Sequence, residues 1–156
     1  EMGTQQILMI VLSVIIVGVA VGVGITMFQN QAINSNRQAV IADLNNFGAQ
    51  AVAWYKLPKN MGGGGNEGFT TTPEGGGEPA ITAGLLSYLG FVDEDGLPVE
   101  EYTNDNGTYT VDFTEEKLTI EGVGKEKVAT DTPVKATLTI DMGLAPGQQI
   151  SVKIDN

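Results

Sequence analysis

Neither cysteine nor histidine occurs in the 156 residues. That double absence removes disulfides, thiolate nucleophiles, imidazole bases and nearly every zinc or iron site. Carboxylates and hydroxyls are the chemistry that remains, and no catalytic residue, cofactor or metal site is expected. Without bridges, a chain that works outside the cell needs another source of strength, and assembly would be one. Basic residues are also scarce, with 8 Lys and Arg against 19 Asp and Glu, for a net charge of −11. Phosphate backbones need clustered cations, so nucleic acid is excluded as an expected partner.

The acidity is uneven. From Glu1 to Asn60, Arg37, Lys56 and Lys59 outnumber Glu1 and Asp43 by one, so the rest of the chain carries −12. A nearly neutral stem precedes an acidic head, and an acidic head stays soluble when crowded against copies of itself. The chain does not begin with Met, and removal of a leader is the expectation.

Charge is missing altogether from Ile7 to Phe28, ILMIVLSVIIVGVAVGVGITMF, where Ser13 and Thr26 are the only side-chain hydrogen bonders. As a helix these residues would span roughly 33 Å, enough for a bilayer core of about 30 Å. A secretory signal has a shorter apolar region behind basic residues, and nothing basic precedes Ile7. Beyond Phe28 no breaker intervenes. Apolar residues recur at Ile33, Val40, Ile41, Leu44, Phe47, Ala51, Val52 and Tyr55, in steps of three, four and seven that trace one stripe of an amphipathic helix. Asn34, Asn36, Asp43, Asn45, Asn46 and Gln50 fall largely opposite. One helix is therefore expected from near residue 2 to Lys56, stopped by Pro58 and with Lys56 suiting its negative end. At roughly 80 Å it is too long for a small domain to bury, so its first half is expected to stand free.

Three regions follow: a helix over 1–57, apolar over 1–28 and amphipathic over 29–57; a glycine-rich connection over 58–79; and a β-rich head over 80–156. The connection holds Gly62 to Gly65 and Gly75 to Gly77, with little core of its own. In the head, a short helix is expected over Ala80 to Tyr88, beginning near Thr82. Strands are expected at Thr108 to Phe113, Lys117 to Glu121, Val134 to Ile140 and Gln149 to Ile154, from alternating apolar and polar residues, and around Glu101 to Asn104, from the hairpin signal that follows it. Asn106-Gly107 signals the first hairpin. The fold class is α+β, one face of an antiparallel sheet being covered by the stripe from Ile33 to Tyr55.

This layout resembles the type IV pilin family: a processed N-terminus, an unbroken apolar helix, an amphipathic continuation, a glycine-rich connection and a C-terminal antiparallel sheet. In architecture the resemblance covers the whole chain; its sequence support lies mainly in residues 1–57. Trp54-Tyr55-Lys56-Leu57-Pro58 followed by Met61-Gly62-Gly63-Gly64-Gly65 is similar to pilin-like proteins of thermophilic and environmental bacteria. The resemblance implies a major pilin, a non-enzymatic structural subunit of a cell-surface filament. Its partners would be copies of itself, the inner membrane before assembly, a prepilin peptidase and the pilus assembly machinery. A single-pass anchored binding protein or a minor pseudopilin of a secretion system is the alternative. Whether such a fibre serves adhesion, motility, DNA uptake or electron transfer stays open.

The expected filament core is Glu1, Ile7, Ile10, Val14, Gly18, Gly22, Gly24 and Phe28, and the expected helix-to-head packing is Ile33, Val40, Leu44, Phe47, Ala51 and Tyr55. Common bacterial pilins begin with an aromatic residue and place Glu fifth, to neutralise a neighbour's terminal amine; here Glu1 and Gln5 stand instead. Gln5 cannot neutralise an amine, whereas Glu1 could, from beside it. Gly18-x-x-x-Gly22 and Ala20-x-x-x-Gly24 would let helices approach closely in an apolar medium.

The remaining motifs point to structure. Asp93-Glu94-Asp95-Gly96 has the wrong spacing for a calcium loop and reads as a solvated acidic turn. Asn106-Gly107-Thr108 is a glycosylation sequon, and Thr70 to Thr72 would suit O-linked sugars. Gly62 to Gly65 and Gly122-Val123-Gly124 lack the frame of a phosphate loop and read as loop punctuation. Phe28, Phe47, Trp54 and Tyr55 have a spacing that fits core packing. Glycine and β-branched residues weaken the helix between Gly18 and Gly24, and related bacterial filaments unwind a stretch of this helix. Any break in a filament of this chain is expected there; a density map with unbroken helical hydrogen bonding over those residues would refute it.

Overall fold

A computed structural model describes residues 2–69 and 80–155. Glu1, Thr70 to Thr72 and Gly75 to Gly77, each given a role above, lie outside the described residues. The fold is α+β: a long N-terminal helix, α1 (Met2–Lys56), a second helix, α2 (Ala80–Leu89), and a five-stranded antiparallel sheet. Two compact units divide the chain, Glu1–Ser35 and Asn36–Asn156. The division falls later than the change of composition at Phe28, because the polar turns from Gln29 to Ser35 precede Val40, the first fully buried residue of α1.

The first unit is helix alone. Over residues 7–28 Val, Ile, Leu and Met surround it on every side, and all are exposed. Phe28 is 81% exposed, so unlike Phe47 and Trp54 it does not enter a core within the chain. The helix runs without interruption through Gly18–Gly24 in the single chain.

In the second unit, β1 (Glu101–Thr103), β2 (Gly107–Phe113), β3 (Lys117–Ala129), β4 (Thr132–Asp141) and β5 (Ile150–Ile154) pair in chain order as an antiparallel meander. Burial alternates along the strands: Tyr109 and Val111 on β2, Leu118 and Ile120 on β3, and Val134, Ala136, Leu138 and Ile140 on β4 are buried. These side chains share the face that meets α1, where Val40, Leu44, Phe47, Ala51 and Trp54 complete one core with Phe69, Leu85, Leu86, Leu89 and Phe91. Within it Phe47 packs edge-on to Phe91 at 5.0 Å and to Tyr109 at 5.1 Å.

Three details correct or extend the reading of the sequence. Gly122 and Gly124 are not loop residues: β3 continues through them to Ala129, well past Glu121. Both sit against residues of α1. A methyl group on Gly122 would stand 2.8 Å from Val40 Cγ1, and one on Gly124 would stand 2.1 Å from Asn36 Oδ1. The first hairpin is where Asn-Gly placed it, and a side chain closes its turn. Among the described residues only Asn66 combines a side chain with positive φ, so Asn106 does not adopt the left-handed conformation of a type I′ turn. Instead Asn104 Oδ1 accepts from the backbone N–H groups of Asn106 and Gly107, at 2.8 and 3.1 Å.

The glycine run is also more than a spacer. Gly64, Gly65 and Asn66 donate their backbone N–H groups to the carbonyls of Trp54, Leu57 and Tyr55 at 2.8–2.9 Å, satisfying the last turn of α1. A side chain at Gly63 would meet Leu57 O at 2.2 Å. Phe69 then turns into the core, its N–H donating to Glu115 O.

Replacing Gly122 by Ala is expected to destabilise the folded unit by about 1–3 kcal/mol through overpacking. Urea unfolding of a chain lacking residues 1–28 measures this, and an unchanged midpoint would contradict the close approach of helix and sheet.

Candidate assembly surface

Ile7, Ile10, Val14 and Phe28 project from α1 fully into the surroundings, each more than 60% exposed. Gly18, Gly22 and Gly24 have no atom within 4 Å of where a side chain would begin, so nothing within the chain requires them to be glycine. The two hydroxyls of the segment are already satisfied: Ser13 Oγ donates to Met9 O at 2.7 Å and Thr26 Oγ1 to Gly22 O at 3.1 Å. Each returns to the carbonyl four residues back, which removes the cost of placing a hydroxyl in an apolar medium. The result is a helix long and apolar enough to cross a membrane.

Val40, Leu44, Phe47 and Ala51 enter the core as expected from their spacing. Tyr55 is half-buried against its margin, and Trp54, which the stripe omitted, is completely buried. Ile33, the first residue of the stripe, belongs to the N-terminal unit and is half-buried.

Two residues assigned to the polar face of α1 bind the sheet instead. Asp43 Oδ2 accepts from Tyr109 Oη at 2.6 Å, Asn106 Nδ2 at 2.8 Å and Asn104 Nδ2 at 3.0 Å. About two helical turns earlier, Asn36 Nδ2 donates to Asn106 O at 2.8 Å, and Asn36 Oδ1 accepts from Glu126 N at 3.2 Å. A spacing of seven puts both residues on one flank of the helix, and that was the signal available in the sequence. Burial pushes the Asp43 carboxyl up, but the hydrogen bonds from Tyr109, Asn106 and Asn104 outweigh it and hold the group below its ordinary value. Tyr109 moves the opposite way, raised by burial and then by its bond to the Asp43 carboxylate.

This clamp bears on the sequon. One N–H of Asn106 is committed to Asp43 and its carbonyl to Asn36, so a sugar would have to leave by the other N–H. In the acidic turn, Asp93 Oδ1 accepts from Asp95 N and Leu97 N at 3.0 and 2.8 Å, and Gly96 takes φ 77°. The carboxylate closes its own turn. Among the described residues, no group of three or more acidic side chains is arranged to hold a metal ion.

Compared with models of protein families, with curated proteins and with solved structures, the chain gives no significant match.

Exchanging Asp43 for Asn is expected to cost roughly 2–3 kcal/mol at neutral pH, because three donors lose their charged acceptor. Asp43 is depressed in the folded state, so its contribution is present above about pH 4, the unfolded carboxylate value, and lost as pH falls through the lower folded value. Tyr109 is raised, so its contribution is present below about pH 10 and lost at higher pH. Urea midpoints against pH check both limbs; an Asp43→Asn protein with an unaltered acid limb would contradict the clamp.

Proposed function

We propose that this chain is a major pilin, the structural subunit of an extracellular filament of the type IV pilus kind, polymerising through residues 7–28. The observation that supports the reading most strongly is the division of labour along α1. Its second half is the core of a folded unit, whereas its first half is apolar on every side, hydroxyl-satisfied and exposed.

Such a surface has two compatible surroundings, the bilayer before assembly and the helices of other copies afterwards. Both are apolar, so transfer between them involves no large hydrophobic gain, and packing quality decides the outcome. Gly18, Gly22 and Gly24 lower helix propensity by up to about 1 kcal/mol each while contributing no contact within the chain. Close approach between copies is what would repay that. In this reading the precursor sits in the inner membrane, a prepilin peptidase and the assembly machinery act on it, and the acidic surface of the second unit keeps the fibre soluble. No catalytic role is assigned.

Electron microscopy of material sheared from cell surfaces tests the reading, together with sedimentation of a chain lacking residues 1–28. Filaments from the full chain and soluble monomers from the truncated one are expected, with Gly18→Leu and Gly22→Leu shortening or abolishing the filaments. Detergent-dependent monomers of the full chain would overturn it in favour of an anchored binding protein or minor pseudopilin.

A further inference from the structure

The core face of the sheet is not fully covered. Asp43 meets Tyr109 of β2, Val40 lies over Gly122 of β3, and Gly48 lies over Leu138 of β4. Helix α1 therefore spans the three central strands. On the far side, Phe91 stacks on Tyr102 of β1 at 5.3 Å. At the other edge, among the described residues, only Val152 of β5 packs against the core. Ile150, Val152 and Ile154 pair with Ile140, Leu138 and Ala136, and residues directly opposite share a face. The three therefore continue the buried face outward, yet Ile150 and Ile154 remain 46% and 48% exposed. Ser151 and the well-exposed Lys153 point to the other face.

We propose that this apolar rib on β5 seats the apolar helix, residues 7–28, of a second copy of the chain. The inference rests on the filament reading above and deepens it by naming where the helix of one subunit meets the head of another. Geometry favours a helix. In the row of Ile154, where Val40 lies over Gly122 of β3, β5 is two strand spacings away, about 10 Å, which matches the diameter of one helix. A second helix thus fits beside α1 on the same sheet face at the Ile154 end of the rib. Five residues of strand run about 17 Å, the length of three helical turns. At the β4–β5 end, Gly147, Gln149 and Ile150 line an open hollow of about 190 Å³, room for one bulky side chain.

A second copy supplies one charge-free helix of the right character, and the rib has its one lysine on the opposite face. The strip is also small. It falls far below the roughly 800 Å² per partner of a stable complex, so the contact adds to a polymer without joining two heads by itself.

The absence of native cysteine makes the test direct. In the full-length chain, Ile154→Cys is combined in turn with Cys at Ile10, Val14, Val17 or Val21, which follow one helical face, and assembled filaments are oxidised. A ladder of linked subunits from at least one pair, and none from Ile154→Cys alone, is expected. Linking by Ile154→Cys alone would mean that two ribs face each other, and would overturn the proposal. So would normal filaments that link with no helix position. If the unsubstituted chain forms no filaments, the filament reading itself falls and this one with it. As a second measurement, Ile154→Asp is expected to remove pelletable filament while leaving the unfolding midpoint of the chain lacking residues 1–28 unchanged; filament at the unsubstituted level would contradict the seat.

Discussion

A helix apolar on all sides is stable only where water is excluded, and residues 7–28 of α1 are exposed throughout. That constraint organises everything else. Because the same helix continues into Val40, Leu44, Phe47, Ala51 and Trp54, whatever shelters its first half also carries the sheet built on its second. Folding of the head and placement of the apolar segment thus share one continuous backbone from Met2 to Lys56.

Joining a helix to a sheet without disulfides demands close packing and a few well-placed polar contacts. Gly122 and Gly124 on the strand, and Gly48 on the helix, remove side chains where the two surfaces would otherwise collide. The clamp of Asp43 with Tyr109, Asn104 and Asn106 fixes the register of that contact, since apolar packing alone tolerates sliding. At the other end, the backbone of Gly64, Gly65 and Asn66 closes the last turn of α1. Carboxylates and amides here do the holding that cysteine does in many secreted domains.

Periodicity made most of this legible. Recurrence of apolar positions in steps of three, four and seven located the core face of α1, and alternation located β2 to β5, because both patterns follow directly from which side chains leave water; β1 was placed by the Asn106-Gly107 hairpin signal. Polar residues were harder. Asn36 and Asp43 read as solvent-facing by type alone, although their common flank borders the stripe. Gly122 and Gly124 read as a turn because the local chain carries no sign that a helix passes above it; only the tertiary contact explains them. Trp54 and Tyr55 are adjacent, and their periodic positions are nearly equivalent, so which one enters the core depends on the loop that folds over Trp54. The chemistry of the apolar surface was legible throughout, since charge is absent from Ile7 to Phe28 whatever the fold.

The central claim is that sister helices, not lipid, finally shelter residues 7–28. Hydrogen–deuterium exchange on the full-length chain, freed of lipid and detergent, tests it most directly. The account predicts that amides of residues 7–28 are protected as strongly as those of residues 40–54. Protection of residues 7–28 that appears only when lipid or detergent is present would contradict it.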